Sequence, residues 1–599
     1  MKLRIDIQIM RGIAVLVVVL FHLGFAGFVN GFLGVDLFFV VSGFLMAVLY
    51  KEGKVTEFYL RRAARLLPAY FATLLLTLVF SALLTLPAEH SQVAEQGIFG
   101  ALFASNVGFW LQDSYFSTGT FKPLLHLWSL GVEVQFYIIV PVLFWLHRKS
   151  KYASLLILSG SLFACLFLTE ISPYTAFFLT PFRVWQFLVG AGIAYYLTDQ
   201  GAVKYNYPKL GVLGVVSLLA LIAFYPVDGQ ALGAFYGHPG VAALLTTVAA
   251  GLVLAFGLPS VLLGTAVAKV TKKLGDWSYS IYLAHFPVIV LFLYQPFTGT
   301  RLSPNGIIDT LILIALIALF SALIYQLFDK KRWNVKFSWF PALIVSSLAV
   351  VFISNVVVKQ GYSTTELNLL SYEFDRPEYR CGKIFRLLNP TVDYCELTEP
   401  NNQAKGRIVL VGDSHSDSIK ESLVKMAERR GISVYFPIHS PPVLGKTKTD
   451  RILQIVEEIN ADAIVAHYRY TNALDILEMD FIKKVQEKGL ELYWISVTPN
   501  YEERIPKLLW GLKNQLPDSN PPIDTEFARQ VKDKLTEQSV KFFDPRPAFC
   551  TDIKGVEHCK IVHADGKPYY FDRHHLTRTG AQQLEPYFNE WLDQISYGN

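Results

Sequence analysis

A chain of 599 residues exceeds what one core usually serves, so two or more domains are expected. Mean hydropathy is positive at +0.35 and only 17% of residues are charged, which fits a polytopic membrane protein carrying a soluble part. The net charge of +5 is not a nucleic-acid signature, because the basic excess sits at the ends of apolar runs and not in a patch.

Apolar runs of about 20 residues recur from Ile7 to Val358 between short basic loops. They predict eleven spans, near 7–24, 31–50, 68–87, 124–146, 153–169, 177–198, 209–226, 239–257, 274–296, 307–327 and 338–358. The first lacks a small-residue cleavage site and another follows at once, so it reads as a retained anchor and not a removed signal peptide. It carries Arg11 and His22 in MRGIAVLVVVLFHLG. Eleven residues at about 100° each make three turns, which puts both on one face, about 16 Å apart. Arg11 alone reads as a positive-inside anchor, whereas an ionisable His22 inside a span is costly and marks function.

With the N-terminus in the cytosol, the loops on that side receive twenty basic residues from Lys2 to Lys336, and the other side only Lys122 and Arg301. An odd number of spans then carries everything after residue 358 to the periplasm or cell exterior. Inside the spans, His22, Asp36, His126, Glu133 and Arg183 fall in the outer half or near the middle. His126 and Glu133 are seven residues apart, so they face the same way on a helix. The cytosolic edge carries RRAAR, with Arg61, Arg62 and Arg65. Closely spaced guanidinium groups suit a phosphate-rich ligand; the alternative is an amphipathic positive-inside loop.

From about Thr364 the chain becomes mixed and charged. Residues 359–405 read as a linker or extension packed on the sheet that follows, and 406–599 as a domain in which strands (RIVLVG, ISVYFPI, ADAIVAHY, LELYWISV) alternate with helices, one near Ser416 to Arg429 and a closing one from Thr577 to Ile595. Such β/α alternation predicts a doubly wound sheet. Cys381 and Cys395 flank one short loop and Cys550 and Cys559 another, which predicts two disulfides, Cys381–Cys395 and Cys550–Cys559, and an oxidising compartment. The alternative is four free thiols in a cytosolic domain. Cys165, in an apolar run, reads as core packing.

In GDSH, Ser414 stands where a strand ends and a helix begins, a place where it can be a nucleophile beside free N–H groups or simply a helix cap. DRHHLT, near the C-terminus, raises the first reading: Asp572 and His575 lie three apart, so the carboxylate can orient the imidazole that deprotonates Ser414. His574 is the rival base, with the less suitable spacing. Gly445 in PPVLG and Asn472 in TN are candidates for further oxyanion donors, and no metal is expected.

Residues of about 407–595 resemble the SGNH hydrolase family, with GDSH as first block and Asp572 to His575 as last. The membrane part resembles the acyltransferase-3 family through Arg11 to His22 and through GVDLFFVVSGFLM, RRAARLLPAY, LHLWSLGVEVQFY and DWSYSIYLAHFP, the last bringing in His285. The usual Glu-x-Pro after the tenth span is replaced by Asp329-Lys330-Lys331. The fused arrangement, with an extra span at 337–358 between residues 1–336 and the soluble part, is similar to bacterial O-acetyltransferases that modify surface polysaccharides such as O-antigen or lipooligosaccharide. The resemblance implies a flavodoxin-like SGNH domain in the periplasm behind an inner-membrane helical domain. It further implies acetyl-CoA as acyl donor with no bound cofactor, and a lipid-linked or lipid A-linked glycan as acceptor. Arg61, Arg62 and Arg65 would hold CoA phosphates, Arg11 would place the thioester, and His22, polarised by Asp36 or Glu133, would be general base or acyl carrier, with His126, Arg183 and His285 in support. Peptidoglycan acetylation, a membrane-tethered carbohydrate esterase, and a transporter with an appended lipase-like domain are the rival expectations.

Overall fold

The computed structural model describes residues 4–595 apart from 113–120, 200–206, 229–230, 232, 302, 332, 334, 379, 390–391, 402, 439–445, 478–479 and 518. The described residues form two compact units, Met1–Val358 and Lys359–Asn599.

In the first unit six helices are long and apolar enough to cross a membrane: Ile5–His22, Val55–Leu84, Leu127–Lys149, Lys151–Ile171, Gly306–Asp329 and Trp339–Gln360. Five shorter apolar helices, among them Leu33–Leu49 and Ser278–Phe292, stand at the remaining predicted positions. The third predicted span starts earlier than its apolar run, since Val55–Leu84 takes RRAAR into its first turns and passes through Pro68. The sixth is divided: Pro173–Phe178 and a 3₁₀ turn at Thr180–Phe182 precede Val184–Asp199, because Pro181 cannot donate to the preceding turn. Pro87–Ala101, Ser105–Gln112 and Ala266–Asp276 are further helices. A short hairpin pairs β1 (Tyr294–Gln295) with β2 (Gly299–Thr300).

Missing side chains let the central helices touch. A Cβ on Gly43 would lie 1.9 Å from the Phe187 carbonyl oxygen, and one on Gly190 2.0 Å from that of Val40, so Leu33–Leu49 and Val184–Asp199 cross backbone to backbone. That crossing brings Asp36 against Arg183 and Gln186. Trp339–Gln360 docks through polar groups as well: His90 meets Ser354 at 3.1 Å, and Ser91 donates to Asn355 at 2.9 Å.

The second unit is built on a six-stranded sheet of β3 (Tyr394–Glu396), β4 (Gly406–Gly412), β5 (Ile432–Pro437), β6 (Ala463–His467), β7 (Glu491–Ile495) and β8 (Lys541–Phe543). The order is β3-β5-β4-β6-β7-β8, parallel except for β3 at the edge, which runs antiparallel to β5. The five parallel strands follow the flavodoxin-like 2-1-3-4-5 order, whose ligand crevice opens at the carboxyl ends of the first and third strands, here β4 and β6. Two apolar clusters cover the sheet faces, one around Leu410, Val434 and Tyr493, the other around Val411, Ile464 and Trp494. Alternation along the strands thus feeds both layers, as a doubly wound sheet requires.

One expectation is narrowed and another corrected. Of the two readings of residues 359–405 the packed extension is the one seen: β3 completes the sheet, and Cys381–Cys395 bonds that strand to the segment before it. The closing helix is broken into Arg578–Gln582 and Glu585–Trp591, since Pro586 lacks the N–H to continue the first but suits the first turn of the second. Cys550–Cys559 is also bonded, across the hairpin of β9 (Cys550–Ile553) and β10 (Val556–Cys559).

Candidate active sites

In the second unit β4 ends at Gly412, where a Cβ would fall 2.0 Å from the His467 carbonyl oxygen, so the turn into helix Ser414–Arg430 admits only glycine. Asp413 caps that helix by accepting from the His415 N–H at 2.9 Å. Its other oxygen accepts from the Arg469 N–H at 3.0 Å and from Asn472 Nδ2 at 2.8 Å, which ties the turn to the chain leaving β6. Ser414 therefore begins the helix with its N–H directed out of the first turn, the position of an oxyanion donor.

Ser414 Oγ lies 2.7 Å from His575 Nε2, and His575 Nδ1 lies 2.7 Å from Asp572 Oδ2. The other Asp572 oxygen accepts from the N–H groups of His574 and His575, at 2.9 and 2.8 Å. Burial raises the affinity of the Asp572 carboxyl for a proton, but the His575 hydrogen bond and the neighbouring imidazoles outweigh it and hold the group well below the usual carboxylate range. A carboxylate kept ionised fixes the Nδ1–H tautomer and leaves Nε2 free to take the serine proton.

His574, the rival base, turns elsewhere: its Nδ1 meets His415 Nε2 at 2.9 Å. Burial, and next the His575 charge, lower the His574 imidazole to about 4; burial also holds His415 well below the ordinary histidine range. Asn472 spends an N–H on Asp413, and Gly445 lies outside the described residues. Beneath the turn, fully buried Arg380 donates to the Gly412 carbonyl at 3.1 Å and pairs with Asp417 at 3.4 Å.

Among the described residues the first unit shows three polar centres. In one, Arg11, Arg62, Arg65, Glu133, Tyr137 and Tyr279 line a single cavity. Glu133 accepts from Ser42 and Tyr137. Arg61 does not join them; it is exposed and pairs with Glu57 at 3.1 Å. The second centre gathers His22, His126 and His285: the His22 and His126 rings stand 5.3 and 6.0 Å from that of His285. Tyr282 stands between the two, lining the cavity while its ring lies 5.8 Å from His126 and its hydroxyl donates to the His126 carbonyl at 3.0 Å.

The third centre is a buried ion pair. Asp36 accepts from Arg183 at 2.8 Å and from Gln186 at 2.7 Å, and meets His238 at 3.0 Å, while the Arg183 guanidinium packs over Phe39, Trp128 and Phe177. Asp36 is thus committed to Arg183, and Glu133 to the arginine cavity. Neither is a hydrogen-bond partner of His22, whose ring neighbours are Phe21, His285 and Phe286.

The family model described as "Acyltransferase domain" matches residues 4–353, and that described as "SGNH domain (fused to AT3 domains)" matches residues 380–590. The chain belongs to the acyltransferase family, with an SGNH domain fused to it. A Staphylococcus aureus (strain COL) protein named "Putative O-acetyltransferase" is 30% identical over 58% of this chain and 61% of its own. O-acetyltransferase OatA of Staphylococcus aureus (strain NCTC 8325 / PS 47) is 28% identical over 55% of this chain and 58% of its own. The chain thus spans about three fifths of the length of these relatives. The solved periplasmic domain of a lipopolysaccharide acetyltransferase from Salmonella ser. Paratyphi A matches 37% of this chain and 96% of its own, at 16% identity and a TM-score of 0.29.

Several members of these sites escaped the sequence reading. In the acyltransferase unit Gln186 and Tyr282 each sit three residues from a residue already singled out, Arg183 and His285, so one helical turn could have flagged them. His238 and, in the SGNH unit, Arg380 become site neighbours only through tertiary contact, whereas His415 stood in plain view in GDSH and only its pairing with His574 was missed.

Proposed function

We propose that this chain carries an acetyl group from cytosolic acetyl-CoA across the inner membrane to a hydroxyl of a surface polysaccharide of the O-antigen or lipooligosaccharide type, presented on a lipid-linked or lipid A-linked glycan. The observation that carries the reading is the Ser414–His575–Asp572 chain of two 2.7 Å contacts at the switch point of the SGNH sheet, fused to an acyltransferase unit. Arg62 and Arg65 hold the CoA phosphates and Arg11 places the thioester. His22 receives the acyl group or activates its acceptor, flanked by His285 and His126 in place of the carboxylates expected from sequence.

Ser414 Oγ then attacks the acyl carbonyl carbon as its proton passes to His575 Nε2. The oxyanion is met by the Ser414 N–H, and collapse breaks the bond to the carrier, which leaves with the proton from His575. A sugar hydroxyl attacks the acyl-serine, His575 takes its proton, and the ester bond to Ser414 breaks as that proton returns to Oγ. Two disulfides in the SGNH unit and the basic residues gathered on one side of the spans support an N-terminus in the cytosol and an SGNH unit in the periplasm.

The test is to express wild type, His22→Ala and Ser414→Ala in a strain lacking the modification and to measure glycan O-acetyl by mass spectrometry. The reading expects alkali-labile acetyl from wild type and from neither variant; acetyl retained in full by both variants would overturn it.

A further inference from the structure

We propose that His415, His574 and His575 form a binding site for a divalent transition metal of the Zn²⁺ class, and that occupancy silences Ser414 by taking the nitrogen that would deprotonate it. Each histidine offers one ring nitrogen, and the three nitrogens lie within 4.8 Å of one another. His415 Nε2 and His574 Nδ1 already face each other at 2.9 Å. Two nitrogens on a tetrahedral zinc, each about 2.0–2.1 Å from it, stand about 3.3 Å apart. That pair has to open by a few tenths of an ångström and the third imidazole to swing in by about 1.5 Å at most.

The surroundings are those of a metal centre. His575 Nδ1 is held by Asp572 at 2.7 Å, so Nε2 is the atom it presents, and a carboxylate behind a ligating histidine is the usual support for one. His415 Nδ1 lies 3.5 Å from Thr498 Oγ1, which accepts the ring proton once Nε2 turns to the metal. Three histidines leave the fourth position of a tetrahedron open, and Ser414 Oγ stands beside it, 2.7 Å from His575 Nε2. His574 and His575 are partly exposed, which gives the ion a way in. A nitrogen bound to metal has no lone pair for the serine proton, so the same imidazole cannot serve both. The silencing half rests on Ser414 being the nucleophile; the binding half does not.

The test uses the full chain purified in detergent and stripped with a chelator. Co²⁺ titrated into wild type should give the intense visible band of four-coordinate cobalt, removable by Zn²⁺. Ser414→Ala should keep the band and His574→Gln should lose it, with thermal melts showing that both variants are folded. Zn²⁺ should inhibit hydrolysis of p-nitrophenyl acetate by wild type, chelator should restore it, and the inhibitory concentration should rise about tenfold or more in His574→Gln. No band in wild type, or one unchanged in His574→Gln, overturns the site. Hydrolysis indifferent to Zn²⁺ while the band is present overturns the silencing. A band with no hydrolysis at all would fault the Ser414 reading and leave the metal site standing.

Discussion

Asp572 grips the last turn of the SGNH site with both oxygens, one on the ring of His575 and one on two backbone N–H groups. Asp572→Asn keeps the shape but loses the ionised partner of Nδ1–H, and should lower turnover on p-nitrophenyl acetate by about 10³-fold or more with little change in KM. The three arginines separate in the same way. Arg62→Ala and Arg65→Ala should raise the KM for acetyl-CoA, whereas Arg61→Ala, whose side chain lies on Glu57, should leave it unchanged. Acid sensitivity belongs to the second histidine pair. Burial and the His575 charge lower His574 from 6.5 to about 4, so the unfolded chain binds its proton first, and stability that is complete above 6.5 is lost as pH falls toward 4. For this one group the loss reaches about 2 kcal/mol near pH 5, and His574→Gln should flatten the fall of the SGNH unit's denaturation midpoint between about pH 7 and 5. Ser414, Asp572 and His575 were legible because each motif keeps its parts within a few residues. The His415–His574 contact was not, since neither motif assigns those two rings a partner and only the fold sets one against the other.

Helices and strands reveal themselves when their burial pattern is long and regular. The apolar runs gave the positions of the six long and five shorter apolar helices, and the central strands β4 to β7 were equally plain. Three-residue edge strands such as β3 and β8 offer no periodicity to read. The glycine crossing and the edge-strand disulfide are tested at this scale. Gly43→Ala sets a methyl against the Phe187 carbonyl, so it should separate two helices, strain the Asp36–Arg183 pair, and cost about 1–3 kcal/mol in detergent. Cys395→Ser opens a bridge across 14 residues of sequence, and should destabilise the SGNH unit by about 3 kcal/mol in chemical denaturation.

At the scale of the whole molecule the proposed relay requires the two units to work on opposite sides of a membrane. Arginines proposed to hold a CoA ester would belong where CoA is made, and disulfides belong where thiols are oxidised. Composition made this division plain from the start, with an apolar half followed by a mixed one. The boundary itself was less plain, because residues 359–405 look irregular in sequence while β3 and Arg380 make them part of the SGNH unit. The most direct measurement is therefore one of sidedness. Lys483 has a 75% exposed side chain on the SGNH unit, and Lys483→Cys places a thiol there for a membrane-impermeant maleimide. Labelling in intact spheroplasts as complete as in lysed ones is the predicted result. Labelling that waits for lysis would put the serine on the same side as the donor and contradict the account.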